Sequence, residues 1–192
     1  LAADREFRPI IPKSSPRRRD IVSETGFRLF GQQVTGASQS PEAAFHEAET
    51  FIGGPVTPLT DIESAECIVI ADRLSAYVRG MKPRRVTFLP KHPGHGMMAP
   101  CIGDIAVDDR IIEIKYVDRS FRSTDLRQLL CYCALRYFSV EPNYEYLSLF
   151  NPLRGTAIAI SVSELIASAS GRSAEEFYQD FSYALSSGEI SR

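Results

Sequence analysis

Three charged residues carry the strongest chemical signal in the sequence: Asp104, Glu113 and Lys115. They lie in two runs rich in Ile and Val, which predict neighbouring β-strands joined by a turn at Asp108-Asp109. A two-residue turn at that point pairs Asp104 directly with Glu113, so that their Cβ atoms lie about 4.5–5.5 Å apart. Lys115 shares the face of Glu113, because side chains two positions apart on a strand point the same way.

Two carboxylates held side by side repel each other unless a cation lies between them. A hard divalent ion such as Mg²⁺ or Mn²⁺ suits oxygen ligands, and the backbone carbonyl of Ile114 is a further ligand close by. Such an ion can lower the pKa of a bound water, and Lys115 could position that water or stabilise developing negative charge. The alternative is an exposed strand face on which Asp, Glu and Lys merely pair electrostatically.

The pattern around these residues predicts an α/β fold in which helices cover a mixed sheet. Capping signals at Ser123, Thr60, Ser161 and Ser173 open helices, and Pro41 begins another through Ile52. Strands are expected over residues 85–89, 102–107, 110–117, 144–150 and 156–161. Residues 1–40 are interpreted as an extended basic and polar N-terminal arm, with a short strand near residues 27–30. Residues 41–192 are interpreted as a single domain.

Bulk composition favours an ordinary globular protein. The chain has 192 residues, a formal net charge of −2 and 44% hydrophobic residues. No run approaches the ~20 apolar residues that span a bilayer and no signal peptide is visible, so an intracellular location is expected. The four cysteines lack metal-ligand spacing, which favours free thiols over a zinc or iron–sulfur site. The net charge is weak evidence for or against nucleic-acid binding.

The order of several short motifs resembles the PD-(D/E)XK nuclease superfamily, especially its RecB-like branch. These motifs are Gly103-Asp104, then Glu113-Ile114-Lys115, then Gln128-x-x-x-Tyr132 on a helix. The resemblance covers about residues 60–150. It implies a restriction-endonuclease-like core (α-β-β-β-α-β), metal binding and catalysis by the sheet Asp and the Glu-x-Lys, and a Gln and a Tyr near the substrate. Ile102-Gly103 stands where the proline of the family name would be, as Gly often does in this branch.

The family often adds an acidic residue from the helix before the sheet. By helical periodicity Glu66 falls within the apolar arc of the helix that begins near residue 60. A buried carboxylate needs a partner, and two remain open: a metal ion, directly or through water, or a salt bridge to Arg73. Glu49, beside His46 on an earlier helix, is a second candidate.

Basic and histidine residues around the motifs leave further alternatives open. His92 and His95 are expected on a flexible surface loop leading to the site, with substrate or metal contact as the alternative. Three arginines flank the site and could bind phosphates or be solvated surface charges: Arg119, Arg122 and Arg127.

The sequence therefore predicts a Mg²⁺- or Mn²⁺-dependent nuclease that hydrolyses DNA, or RNA as the second choice. The rival prediction is a catalytically inactive nuclease-fold subunit that binds nucleic acid or scaffolds a larger complex. A third interpretation is an α/β protein with an incidental charge cluster.

Overall fold

The computed structural model describes residues 3–37 and 40–187. These residues form six α-helices: α1 (Arg19–Thr35), α2 (Pro41–Ile52), α3 (Asp61–Gly80), α4 (Ser123–Tyr137), α5 (Val162–Ser170) and α6 (Ala174–Ser187). The strands are β1 (Asp4–Arg5), β2 (Val86–Phe88), β3 (Lys91–His92), β4 (Cys101–Ile102), β5 (Ile105–Val107), β6 (Arg110–Ile114), β7 (Tyr146–Asn151) and β8 (Thr156–Ser161). No helix in this part of the chain is long and apolar enough to cross a membrane.

Six of the strands form one mixed sheet in the order β1-β8-β7-β6-β5-β2. Every neighbouring pair is antiparallel except β6 and β7, which are parallel and are connected through α4. The remaining strands, β3 and β4, pair with each other in a hairpin. The predicted α/β fold with a mixed central sheet and flanking helices is confirmed.

The helices cover both faces of the sheet, and strand alternation divides the core between them. Ile105 and Ile112 face α1 and α3, whereas Ala106 and Ile111 face α4, α5 and α6. On β7, Phe150 faces α1 and α3, whereas Leu149 faces α4, α5 and α6. The central strands are apolar on both faces because each face is buried under helices.

The prediction of an extended arm over residues 1–40 is wrong beyond residue 18. Residues 19–35 form α1, which buries Val22, Phe27 and Phe30 against α3 and the sheet. Gly26 and Gly31 lower helix propensity, but they lie where the helix meets its neighbours most closely. A Cβ atom on Gly26 would stand 2.8 Å from the Cβ of Ile70. The residues that weaken the helical pattern are therefore the ones that permit its packing.

The capping signals at Thr60, Ser161 and Ser173 are confirmed, but Ser123 does not cap α4: it is the first residue of that helix, and Arg122 is at the N-cap. Thr60 and Glu63 form a complete capping box at the start of α3. The strand expected over residues 102–107 is instead broken at Gly103 and Asp104, between β4 and β5. The loop expected over residues 90–100 is a hairpin that begins in β3 and returns in β4. The break releases Asp104 from the regular alternation of the strand.

Candidate metal centre

The hairpin of β5 and β6 has the register that the sequence predicts: Ile105 pairs with Ile112, Ala106 with Ile111 and Val107 with Arg110. At the turn Asp108 adopts a left-handed conformation (φ 51°), and its carboxylate accepts hydrogen bonds from two backbone amides, those of Arg84 and Arg85. Extended by one residue, this register places Asp104 opposite Glu113.

Asp104 lies at the break before β5, and its carboxylate turns toward the end of β6. Its Oδ2 atom accepts a hydrogen bond of 2.7 Å from the amide of Ile114. Burial raises the pKa of Asp104 to about 7, and the negative charge of Glu113 adds to the rise. The carboxylate of Glu113 is therefore close enough to oppose the ionisation of Asp104.

Glu113 is buried, with 4% of its surface exposed. Its Oε1 accepts a hydrogen bond of 2.6 Å from the ammonium group of Lys115, while its Oε2 is buried without a partner in the part of the chain that the structure describes. Burial raises the pKa of Glu113, and the contact with Lys115 opposes that rise. An unsatisfied buried oxygen on a carboxylate costs about 1–3 kcal/mol or more, so a missing cation or water is the natural explanation for it.

Lys115 is connected to α4 by a short series of hydrogen bonds. Its Nζ donates to Oε1 of Gln128 at 2.9 Å, and Nε2 of Gln128 approaches the hydroxyl of Tyr132 at 2.7 Å. Gln128 and Tyr132 are one helical turn apart and share a face of α4. Burial raises the pKa of Tyr132, with the charges of Glu113 and Asp104 adding to it, so this hydroxyl stays protonated. The structure thus brings together five of the residues singled out from the sequence.

A cleft of about 250 Å³ opens beside Asp104, Ile114 and Lys115. Its opposite side is formed by α1, through residues that include Ser23 and Glu24. The sequence analysis missed Glu24 because it did not predict α1. The negative charge of Glu24 contributes to the raised pKa of Asp104, so the two acids face the same space.

The carboxylate of Glu24 is held at 2.7 Å by Nε of Arg28, one helical turn further along α1. This Glu-to-Arg spacing of four residues was the available sequence signal for the helix. Glu24 thus adds a third acid to the cleft while being partly neutralised by its neighbour.

Glu66 does not join this group, and both roles expected for it must be corrected. Its two oxygens accept hydrogen bonds from the Tyr116 hydroxyl and from Lys13 and Ser14, at 2.9–3.0 Å. Arg73 donates instead to the carbonyl of Pro152. Glu66 is therefore a structural carboxylate that fastens the N-terminal segment to α3.

Glu49 is also engaged elsewhere. Its Oε1 accepts a hydrogen bond of 2.8 Å from the amide of Val56, in the segment that follows α2. Its other oxygen lies 3.6 Å from Nδ1 of His46.

The two histidines lie on the β3–β4 hairpin rather than on a free loop. His92 is buried, its ring packs at 5.0 Å between centroids against Tyr132, and burial lowers its pKa to about 4, so it is neutral. His95 contacts the hydroxyl of Ser182 on α6 at 2.9 Å. His92 therefore helps to hold the ring of Tyr132 in place by stacking against it.

Of the three flanking arginines, Arg119 is paired with Asp125 at 2.8 Å, which leaves it partly neutralised. Arg122 and Arg127 are exposed. These two arginines are therefore solvated surface charges, which was one of the two alternatives.

Across residues 3–37 and 40–187, no group of three or more His, Cys, Asp or Glu side chains converges as a metal site. Any ion at the hairpin would rely on two carboxylates, a backbone carbonyl and water, which is a donor set that Mg²⁺ accepts. In comparisons with known proteins, no family model, curated protein or solved structure matches the chain.

Proposed function

We propose that this protein is a metal-dependent nuclease of the PD-(D/E)XK type. The observation that carries the proposal is the buried Oε2 of Glu113, which lacks a partner in the described structure beside the half-buried carboxylate of Asp104. A divalent cation would satisfy that oxygen and remove the repulsion between Glu113 and Asp104. The half-buried ammonium group of Lys115, directly against Glu113, then supplies what phosphodiester hydrolysis needs besides the ion.

The order of elements around the site supports a restriction-endonuclease-like core. The succession α3, β2, β5, β6, α4, β7 is the α-β-β-β-α-β order that the resemblance implies. The pairing is antiparallel from β2 to β6 and parallel from β6 to β7. The β3–β4 hairpin is an insertion before the strand that follows Asp104.

Asp104, Glu113 and the carbonyl of Ile114 would hold Mg²⁺ or Mn²⁺ at the end of the hairpin. The bound ion supplies a water of lowered pKa and neutralises charge on the phosphate. The hydrogen bond from the Ile114 amide fixes the orientation of Asp104 before any ion arrives. Preorganised ligands of this kind reduce the entropy lost on binding.

Lys115 is the group of this chain that would act on the reacting atoms. Its ammonium bridges Glu113 and Gln128, so it is held at the rim of the cleft and can donate to an oxygen of the scissile phosphate. Gln128 positions Lys115, and Tyr132 in turn orients the amide of Gln128. The substrate is a nucleic acid, DNA in preference to RNA.

A cleavage assay tests this proposal with plasmid, linear duplex DNA, single-stranded DNA and RNA, each with Mn²⁺ or with EDTA. Asp104→Asn, Glu113→Gln and Lys115→Ala should each lower the cleavage rate by on the order of 100-fold or more, while circular dichroism shows the fold retained. Asp109→Asn is the matched control, because this exposed turn carboxylate lies on the same hairpin. Undiminished cleavage by all three variants refutes the nuclease.

The rival function, a nuclease fold that binds without turnover, is separated by calorimetric titration with Mn²⁺. The nuclease requires Mn²⁺ binding that disappears in Asp104→Asn and Glu113→Gln, together with cleavage. Dependence of binding on both carboxylates without cleavage of any of the four substrates would instead favour the scaffolding subunit.

A further inference from the structure

Three consecutive arginines precede or begin α1, and the structure gives each a different environment. Arg17 is exposed. Arg18 is structural: its guanidinium binds Glu63 and the carbonyls of Thr57 and Pro58 at 2.8–3.2 Å. Arg19, the first residue of the helix, takes part in no ion pair or side-chain hydrogen bond among the described residues. The nuclease site uses none of the three.

Arg19 lies on the side of α1 that borders the candidate metal centre. It is one helical turn before Ser23, which lines the cleft, and residues four apart share a helix face. Its positive charge acts on Tyr116, which lines the same cleft: burial raises the pKa of that tyrosine, and Arg19 opposes the rise. Four residues of helix place Arg19 roughly 6 Å beyond Ser23.

The Nε atom of Arg19 is buried and has no hydrogen-bond partner in the described part of the chain. In that part of the chain, the buried side-chain atoms without a partner include only two from charged groups, Arg19 Nε and Glu113 Oε2. One is cationic and the other is anionic. A cation satisfies Glu113, and an anion is the matching ligand for Arg19.

The geometry points to a phosphate-binding subsite at Arg19, which holds a phosphodiester of the nucleic acid next to the one at the metal centre. This assignment rests on the proposed nuclease function for the identity of the polymer. A guanidinium suits the role because its planar fork donates two parallel hydrogen bonds to phosphate oxygens.

The other cations at the cleft are already engaged. Lys115 binds Glu113 and Gln128, and Arg28 is paired with Glu24. The acids Asp104 and Glu24 repel a polyanion unless a metal ion and another cation compensate. Arg19 is the described cation near the cleft that is left to contact the backbone of the substrate.

The test measures binding of a labelled DNA duplex, a single DNA strand and an RNA strand by fluorescence anisotropy, with Ca²⁺ in place of Mn²⁺, at salt concentrations from 50 to 200 mM. Arg19→Ala should weaken binding about tenfold or more for the polymer that binds wild type best. The slope of log K against log salt should fall by about one, the contribution of one phosphate contact. Arg19→Lys keeps the charge without the fork and should lie between the two.

Arg79→Ala is the matched control, since it removes one exposed positive charge from the last turn of α3. Contacts of Arg18 with Glu63 and of Ser75 with Gln33 show that α1 and α3 run in the same direction, so Arg79 lies at the opposite end. Thermal unfolding of each variant confirms that it is folded. Equal losses in Arg19→Ala and Arg79→Ala, or no loss in either, overturn the subsite, as does absence of binding by wild type.

The two proposals fail separately in this design. A wild-type protein that binds nucleic acid through Arg19 but cleaves none of the substrates refutes the nuclease and keeps the subsite. If the Arg19→Ala variant cleaves as well as wild type, with unchanged affinity and salt slope, the nuclease proposal stands and the subsite is refuted.

Discussion

Neutralising Asp104 should make the metal-free protein more stable at alkaline pH. In the folded protein the pKa of this carboxyl is raised from 3.8 to about 7, first by burial and then by the charge of Glu113. At pH 8 the wild-type protein carries two buried carboxylates, of which Lys115 pairs with only one. Asp104→Asn removes one of these charges, yet its amide oxygen can still accept the hydrogen bond from Ile114.

The direction in which the free energy of unfolding changes with pH follows from the protons that Asp104 binds in the folded and unfolded states. Between about pH 4 and pH 7 the folded state holds a proton on Asp104 that the unfolded chain has lost, so the free energy of unfolding falls as pH rises. The two pKa values differ by about three pH units, and each unit corresponds to about 1.4 kcal/mol, so the decrease reaches about 4 kcal/mol. Below pH 4 Asp104 is protonated in both the folded and the unfolded state, so its contribution to the free energy of unfolding is then fully in favour of the folded state.

Urea unfolding in EDTA at pH 5, 6, 7 and 8 measures this effect. Asp104→Asn should exceed the stability of wild type by about 2 kcal/mol at pH 5, and this difference should grow to about 4 kcal/mol at pH 8. Asp109→Asn, on the exposed turn, should follow wild type throughout. Saturating Mn²⁺ should stabilise wild type at pH 8 and leave the variant unchanged, because a ligand is missing. Parallel stability curves for wild type and Asp104→Asn across this pH range would show that Asp104 is not held in a buried, repulsive site.

Two further substitutions test the packing of α1 against α3 and the ion pair between Arg18 and Glu63. Gly26→Ala should destabilise the fold by about 1–3 kcal/mol, because its methyl group meets Ile70; Gly80→Ala, with open space around it, should be neutral or slightly stabilising in the same thermal melts. Arg18 lowers the pKa of Glu63 to about 2, so Glu63→Gln should cost about 3 kcal/mol at pH 7 and nothing near pH 2, as chemical denaturation at both pH values will reveal. An equal effect of Glu63→Gln at pH 7 and pH 2 would contradict the ion pair.

The hairpin was predictable from sequence because its information is local. The turn residues and the alternation of Ile and Val fix the register of β5 and β6, and the register alone brings Glu113 opposite Asp104. The side of α4 that carries Gln128 and Tyr132 follows from helical periodicity in the same way. Local rules therefore predicted the hairpin and the face of α4 from which the site is built.

The parts that the sequence did not predict depend on contacts between distant segments. The helix that supplies Glu24 has a weak sequence pattern because Gly26 and Gly31 lower its helix propensity, and the reason for these glycines, close packing against Ile70 and Phe88, lies in distant segments. Glu66 looked like a metal ligand because helical periodicity predicts that its side chain is buried but does not identify the groups around it. Its partners lie about fifty residues away along the chain, Lys13 and Ser14 before it and Tyr116 after it.

The parallel pairing of β6 with β7 has a consequence for synthesis of the protein. When the hairpin has left the ribosome and β7 has not, both strands of the hairpin are present but the outer edge of β6 has no neighbour. Its partner β7 arrives only after α4 has been made, because parallel strands need a crossover between them. During that interval a bare edge rich in isoleucine is exposed on the nascent chain, next to the two acids of the hairpin.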